Sequence, residues 1–324
     1  MSRKYSIDIL RIISAIAVVI IHVVSAPLAN SATNVNIDIK FTMELIHVLM
    51  NWSVPVFFMI TGYCVLGKSE CTYKYCFKHV WKYVATLFTV GFFYAFLEQF
   101  FIVRTVTAAM LFTSLLHVVS GELWAHMWFV YAIIGVYLVL PVVHSFIQQG
   151  KGNAFILTGL LFAFTILCPT FERWLPIGIT FPIGGYMFYV CFGGIVANYK
   201  LEQPLIHGCY FMTVISLIWI ALCSEYFAFG YLHIATCFVA VGVFLFVSNL
   251  DIKPNKMILK VSQCTWGVYL IHPFFINIAL KVLYVDLFSN MAYGRLFIFG
   301  VVILFVSFVV TYMLRQIPYV KKLF

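Results

Sequence analysis

Long apolar runs, separated by short stretches rich in Pro, Gly, Asn or charged residues, follow one another along the whole chain. A membrane-spanning helix needs about 20 mainly apolar residues, and about ten runs approach that length. The runs lie near residues 7–28, 44–66, 82–103, 124–147, 154–170, 182–198, 206–224, 231–249, 261–281 and 296–315. The pattern predicts an all-α fold, a polytopic membrane helix bundle of about ten transmembrane helices.

Two segments need separate interpretation. The segment 105–120 is apolar but short, so we expect an interfacial helix or a loop there. Arg3 and Lys4, before the first apolar run, resemble the start of a secretory signal. Asp8 and Arg11 interrupt that run, which is also long enough to span the membrane. We therefore expect a first helix that is retained in the protein.

The composition is that of a membrane protein. Hydrophobic residues occupy 64% of the 324 positions and charged residues only 10%, whereas charged residues make up about a quarter of a soluble domain. No long linker, internal repeat or low-complexity tract divides the chain. We expect a single integral membrane domain over residues 1–324.

The formal net charge is +9, but the basic side chains stand singly or in small groups between the apolar runs. This distribution indicates orientation in a lipid membrane and argues against nucleic acid as a partner. With the N-terminus inside, fourteen of the 20 Lys and Arg residues fall in cytoplasmic segments and five in outer segments. The excess predicts both termini in the cytoplasm, and we expect a multi-pass protein of the bacterial inner (plasma) membrane.

The first predicted helix carries a group of polar residues inside its apolar run. Ionisable groups are costly in a bilayer and tend to mark functional sites. The 11-residue step from Arg11 to His22 returns to within about 20° of the same helix face and covers about 16 Å of the axis. Arg11 is therefore expected in the inner part of the membrane and His22 in the outer half.

The sequence leaves two interpretations of this pair open. In the first, Arg11 binds phosphate or carbonyl oxygens of a long ligand, and His22 lies near the reacting end of that ligand. In the second, Arg11 pairs with Asp8 and reaches the cytoplasmic surface, while His22 hydrogen-bonds a neighbouring helix.

A second group of candidate residues lies at the outer end of the fourth predicted span. His126 enters this span from the outer side and is followed by Trp128. Aromatic residues at that depth are typical of an interfacial belt. His126 is therefore either a packed belt residue or a functional group at the height of His22.

A polar stripe lies on one face of the ninth predicted span. Its members are Ser262, Thr265, Tyr269 and His272. Such a stripe should face the bundle interior or a cavity rather than lipid. His272 has two interpretations, an acid, base or ligand-binding group, or an inter-helix hydrogen bond.

Basic residues also gather between the second and third predicted spans, at Lys68, Lys74, Lys78, His79 and Lys82. Ordinary inside-positive anchoring explains such a group. The alternative is that Lys78 and Lys82 bind an anionic cytosolic ligand such as the phosphates of coenzyme A.

The remaining motifs are sparse. Most of the nine cysteines lie in apolar segments, where thiols behave as small hydrophobes. Cys71 and Cys76 lie in a short polar loop, and two cysteines alone make neither a zinc site nor a disulfide framework. We expect no metal cofactor. Pro55 and Gly62, inside the second span, predict a kink or a close helix contact.

Four stretches, in this order, resemble the membrane-bound acyltransferase-3 family over nearly the whole chain. They are IDILRIISAIAVVIIH, SVPVFFMITGY, HMWFVYAIIGVYLVLP and WGVYLIH. The resemblance implies an acyl-coenzyme A-dependent O-acetyltransferase. Its donor would be acetyl-coenzyme A, bound from the cytoplasm, and its acceptor a hydroxyl of a cell-surface polysaccharide or lipid-linked sugar.

The resemblance also implies roles for individual residues. Arg11 looks like the residue that orients the donor, and His22 looks like the catalytic histidine, whose neutral imidazole takes a proton from the acceptor. Ser14, Lys78 and Lys82 are grouped with Arg11 as donor contacts. The candidates for acceptor binding or for orienting His22 are Asp8, His126, Trp128, Tyr269 and His272.

A different class of function uses the same histidines. A secondary transporter or exporter of a small polar molecule or glycan would use them as a proton relay. Such a protein has no reason to bind acetyl-coenzyme A, so donor binding discriminates the two hypotheses.

Overall fold

The computed structural model describes residues 3–30, 35–103, 105–171, 185–289 and 291–323, without the side chains of residues 30, 102, 103 and 171. Every regular element in these ranges is helical, which confirms the predicted all-α class. The α-helices are α1 Tyr5–Asn30, α2 Ile37–Met50, α3 Ser53–Leu66, α4 Tyr73–Thr86, α5 Phe92–Val103, α6 Ala108–Ser120, α7 Trp128–Ile147, α8 Lys151–Phe162, α9 Cys168–Phe171, α10 Met187–Asn198, α11 Gln203–Cys223, α12 Ile234–Ser248, α13 Lys256–Asn277 and α14 Ala292–Leu314. Wider π-helical turns at Leu87–Gly91, Ala163–Leu167 and Ile278–Val282 follow α4, α8 and α13 directly, and 3-10 turns occupy Ala125–Met127 and Val320–Lys322.

In the described part of the chain, seven helical runs are long and apolar enough to cross a membrane. They are Tyr5–Ala29, Ile37–Leu66, Tyr73–Phe101, Ala125–Ile147, Lys151–Thr170, Gln203–Cys223 and Ala292–Leu314. The apolar helices α6, α10 and α12 are shorter. The 12 residues of α10 cover about 18 Å, less than the roughly 30 Å of a bilayer's hydrocarbon core. The expected count of about ten spans, and the side on which each terminus lies, stay predictions.

Several predicted boundaries were wrong. The third helical run begins at Tyr73 rather than near residue 82, so Lys74, Lys78 and Lys82 lie on a helix and not in a loop. The second run begins at Ile37 rather than near residue 44, because Asn36 caps α2 there. A turn at residues 51–52 separates α2 from α3 within this run. The segment 105–120, where an interfacial helix or a loop was expected, contains the 13-residue helix α6. The first residues of the predicted span 182–198 lie outside the described residues.

The chain divides into two compact units. The first contains residues 1–68 and 147–313, and the second contains residues 69–146 and 314–324. In the first unit, α1 packs against α2, α3, α12 and α13. Its apolar residues join α2, α13 and α14 in one core cluster that includes Val19, Met43, Val268 and Phe299. The helix that carries Arg11 and His22 is therefore central to the first unit.

The helices α3 and α10 approach each other more closely than side chains would allow. A Cβ atom on Gly62 would overlap the carbonyl oxygen of Val190, and one on Gly193 would overlap the carbonyl oxygen of Met59. Small residues permit such backbone contact between membrane helices. The close helix contact predicted at Gly62 is therefore present.

The second unit is joined by polar contacts between its helices. The amide of Gln99 on α5 donates from Nε2 to the Ser114 hydroxyl and accepts the Thr113 hydroxyl at Oε1, both on α6. The Tyr131 hydroxyl donates to the carbonyl of Val118. Inside apolar surroundings these hydrogen bonds satisfy groups that would otherwise be costly to bury.

Candidate functional site

Helix α1 carries both Arg11 and His22 on one uninterrupted run. The predicted geometry therefore applies, with both side chains on one face and about 16 Å of helix axis between them. Both residues are half-buried, whereas most of their apolar neighbours on α1 are fully buried. The face that they share therefore borders the packed side of the helix.

Asp8 is the centre of a polar network at the start of α1. Its carboxylate is 1% exposed and accepts two hydrogen bonds from Arg3, at 2.8 Å each, and one from Arg11, at 3.0 Å. The Ser262 hydroxyl on α13 donates to the same carboxylate over 2.7 Å. The bond to Asp8 raises the pKa of Arg3, which stays cationic. One buried carboxylate thus joins α1 to α13 and holds two guanidinium groups.

The Arg11 guanidinium has a second partner in α3. Its Nη2 lies 3.2 Å from the Cys64 Sγ, while Nη1 donates to Asp8. The side chain is 30% exposed, so these contacts fix the plane of the guanidinium without covering it. The Asp8–Arg11 pair is the contact that the second interpretation of the sequence expected.

His22 faces a second imidazole. Its ring centroid lies 5.1 Å from that of His272, with the ring planes tilted by 44°. His272 is fully buried, and its Nδ1 lies 3.0 Å from the carbonyl oxygen of Val268. A carbonyl only accepts hydrogen bonds, so Nδ1 carries the proton and, in the neutral ring, Nε2 is the acceptor nitrogen. The two histidines from α1 and α13 form the His22–His272 pair.

The polar stripe on α13 is buried over its whole length. Ser262, Thr265, Tyr269 and His272 are each less than a tenth exposed. Tyr269 stacks on Trp266, with ring centroids 5.4 Å apart, and lies 6.3 Å from His272. The stripe thus runs from the Asp8 network to the His22–His272 pair along one helix.

Ser14 lies between Arg11 and His22 on α1. Its side chain is fully buried, and within the described part of the chain its hydroxyl has no hydrogen-bond partner. A buried hydroxyl without a partner costs about 1–3 kcal/mol.

The other predicted site residues belong to the second unit. Lys78 and Lys82 lie four residues apart on α4, where Lys78 is exposed and Lys82 is half-buried. His126 is 3% exposed and packs edge-on against Tyr94. Trp128 begins α7 and lies edge-on to the following phenylalanine.

Three residues of the first unit were missed as site residues. Arg3 was considered only as part of a secretory-like start and as a cytoplasmic charge, and its spacing of five from Asp8 is not one of the helical spacings that predict an ion pair. Cys64 gave no signal, because its contact with Arg11 joins residues 53 positions apart. His47 lies within electrostatic reach of His22. It is in the last turn of α2, a helix that begins before the predicted second span.

A polar pocket of about 530 Å³ opens among α10, α11 and α12 of the first unit. Its lining includes Lys200, His207, Tyr210 and Asn249. Ser248, beside Asn249, accepts a hydrogen bond from Ser6 at its carbonyl, so the pocket lies at the end where α1 begins. In the described ranges no three His, Cys, Asp or Glu side chains are grouped to hold a metal ion.

Comparison with known proteins gives one match that covers nearly the whole chain. A family model described as an acyltransferase domain, that of the acyltransferase-3 family, matches residues 4–314 and so runs through both units. No curated protein and no solved structure matches the chain. With a helical bundle that has several membrane-capable helices and a family model over almost its full length, the chain belongs to the acyltransferase-3 family and is a membrane acyltransferase.

Proposed function

We propose that this protein transfers an acetyl group from cytosolic acetyl-coenzyme A to a hydroxyl of a cell-surface polysaccharide or lipid-linked sugar. In this it would resemble the O-acetyltransferase of enterobacterial common antigen. The protein would lie in the bacterial inner membrane with both termini in the cytoplasm, and residues 1–324 would act as one domain. The observation that carries the proposal is the His22–His272 pair, in which His22 lies on the same helix as Arg11.

His22 is the general base in this proposal. A neutral imidazole takes the proton of the acceptor hydroxyl as its oxygen attacks the thioester carbonyl. The tetrahedral intermediate then expels the coenzyme A thiolate, which takes that proton from the His22 imidazolium. In its neutral form His272 keeps its one ring proton on Nδ1, against the carbonyl of Val268, and its Nε2 is then available as an acceptor in the His22–His272 pair.

Arg11 orients the donor. Its guanidinium is held by Asp8 and Cys64 but is still partly exposed, and a fixed, planar, permanently charged group suits phosphate or carbonyl oxygens. Ser14, between Arg11 and His22 on α1, provides a hydroxyl along the donor's path. Asp8 acts through Arg11 and is a positioning residue.

Two places are available for the anionic nucleotide end of the donor. Lys78 and Lys82 on α4 form one, and the polar pocket with Lys200 forms the other. The variants Lys78→Gln and Lys200→Gln distinguish these two places. Donor binding should weaken only when the substituted lysine contacts phosphate, by roughly the 1.5–3 kcal/mol of a charged hydrogen bond.

Acceptor binding is assigned to aromatic and imidazole groups. Tyr269, stacked on Trp266 beside His272, and His126 with Trp128 in the second unit offer flat apolar faces and hydrogen-bonding edges, which suit a sugar ring. Loss of transfer without loss of donor binding in Tyr269→Ala or Trp128→Ala would support this role.

The deciding experiment is acetyl-coenzyme A binding to purified wild type, Arg11→Ala and His22→Ala, measured together with acetyl transfer or hydrolysis. We expect Arg11→Ala to bind poorly and His22→Ala to bind normally with turnover reduced about 10²- to 10⁴-fold. His117→Ala, a partly exposed histidine of α6, is the matched control and should behave as wild type. If acetyl-coenzyme A binds neither to the wild type nor to the variants, the proposal is overturned.

A transporter that uses paired histidines as a proton relay is the second candidate, and the close imidazoles of His22 and His272 are the observation that favours it. It predicts substrate-dependent proton movement in proteoliposomes and no acetyl-coenzyme A binding. Wild-type protein that binds the donor and moves no protons excludes it.

A further inference from the structure

Two thiols meet at the start of α4, in the second unit. The Sγ atoms of Cys71 and Cys76 lie 3.5 Å apart. The two side chains are 7% and 1% exposed, and neither is in a disulfide. The other described cysteines lie on α3 and on α9 to α13, with two of them, Cys209 and Cys223, on α11.

The local backbone brings the two thiols together. Thr72 caps α4 by accepting a hydrogen bond from the Tyr75 amide at its side chain. Cys71 is the residue before this cap, and Cys76 lies in the first turns of the helix. The chain therefore turns sharply between Cys71 and Cys76, and the two side chains meet on the buried side of α4. The exposed face of the same helix carries Lys74 and Lys78.

We propose that Cys71 and Cys76 are a site of reversible thiol oxidation, a dithiol that closes to a disulfide by exchange with a low-molecular-weight disulfide of the glutathione class. A disulfide has its sulfur atoms about 2.05 Å apart, so closure needs a movement of about 1.5 Å. Because one of the two thiols is in a turn rather than a helix, the turn absorbs that movement.

The exchange proceeds in two balanced steps. The more exposed Cys71, as its thiolate, attacks one sulfur of the small disulfide, which forms a mixed disulfide and releases one small thiolate. The Cys76 thiolate then attacks the Cys71 sulfur, forms the internal bond and releases the second small thiolate. The two protons lost by the protein thiols are taken up by the two released thiolates, and two electrons pass from the protein to the small disulfide.

The predicted cytoplasmic position makes this a switch and not a structural staple. Cytosolic thiols are kept reduced, so the resting state is the dithiol and oxidation is conditional. The closed form ties the turn at Cys71 to the first turns of α4. If the proposed function holds, oxidation also restricts the helix that presents Lys78 to the donor, but the oxidation site itself stands without that function.

Trypsin gives a direct readout on the full-length wild-type protein. Cleavage after Lys68, Lys74 and Lys78 yields the peptides SECTYK and YCFK, each with one cysteine. Purified protein is equilibrated with mixtures of reduced and oxidised glutathione, quenched with acid and alkylated before digestion. We expect the linked SECTYK–YCFK pair, lighter by two hydrogen atoms than the sum of the free peptides, to increase about tenfold for each ~30 mV of more oxidising poise in the linear range.

Controls separate a native-state site from scrambling. Protein alkylated in the folded state before oxidation should give no linked pair, and Cys71→Ser should give none. Cys264→Ser, which removes an equally buried thiol on α13, should leave the yield unchanged. Hydrogen exchange at the amides around Tyr75 should slow in the oxidised protein and return to its first rate after reduction.

Two results would overturn the proposal. One is wild-type protein that stays in the dithiol form across the whole glutathione range, which would make the pair a packing contact only. The other is a linked pair that forms only after denaturation. Neither measurement depends on acetyl transfer. A failure of the proposed enzyme function can therefore be distinguished from a failure of the thiol-oxidation proposal.

Discussion

At the scale of single residues, polar side chains of the first unit join α1 to α13 at two places. Asp8, Arg11 and Ser262 are hydrogen-bonded at one end of the α13 stripe, and His22 and His272 face each other at the other. Buried polar groups are tolerated when they are satisfied, and connected sets fix a unique packing. The positions of α1 and α13 relative to each other are therefore set by polar contacts at both ends.

Asp8→Asn should destabilise the protein. It leaves Arg3 and Arg11 without their shared anion, and the cost of breaking a buried pair is moderated here because the arginines are 46% and 30% exposed. We expect a loss of about 1–3 kcal/mol, measured as a lower Tm in detergent. The exposed Asp251→Asn should have no effect, and equal Tm values for the two variants would contradict the role of the network.

His272→Asn tests whether His272 acts on His22. The amide of Asn can replace the Nδ1 donor toward the Val268 carbonyl but has no counterpart of Nε2. We expect kcat to fall about tenfold or more, with the KM for acetyl-coenzyme A unchanged and the acid limb of the pH–rate profile displaced. A lower Tm with an unaltered pH–rate profile would mean that His272 contributes only to packing.

At the scale of helices, the close approach of α3 and α10 depends on glycine. Gly62→Ala places a methyl group against a backbone carbonyl of α10, which cannot move like a flexible side chain. We expect a loss of about 1–3 kcal/mol, as for overpacking in a dense core. Thermal unfolding followed by fluorescence-detected size exclusion measures it.

Gly159→Ala on α8 is the matched control, because no atom lies within 4 Å of its added Cβ. Alanine in an open helical position stabilises by about 0.5–1 kcal/mol relative to glycine. The two substitutions should therefore shift Tm in opposite directions. A fall in Tm of similar size in both variants would show that α3 and α10 can separate at little cost to accommodate the methyl group at residue 62.

The helices themselves were largely predictable from the sequence, while their ends and partners were not. The apolar runs located α1, α7, α11 and α14 within a few residues, because composition alone decides that a segment avoids water. The start of α4 was misjudged because lysine is a good helix former, so a basic segment does not end a helix. The Arg11–Cys64 contact depends on how α1 packs on α3, which no local pattern encodes.

At the scale of the whole molecule, the prediction concerns sidedness. Cysteines introduced at Lys253 and Lys322 should react with a membrane-impermeant maleimide only in lysed cells, whereas one at Lys40 should react in intact cells. All three native lysines are exposed, and the positive-inside bias gives the direction. Wild-type labelling corrects for the native thiols. Reaction of the Lys322→Cys variant in intact cells would place the C-terminus outside and contradict the prediction.

The glycine contact between α3 and α10 also bears on biosynthesis. Val190 is made 128 residues after Gly62, and at about 5–20 residues per second the ribosome needs roughly 6–25 s to cover that distance. During that time the surface of α3 at Gly62 is not yet covered by α10 and can contact lipid or a chaperone. Slowed synthesis between the two helices should therefore expose nascent protein to membrane proteases, and Gly62→Ala should lengthen that exposure.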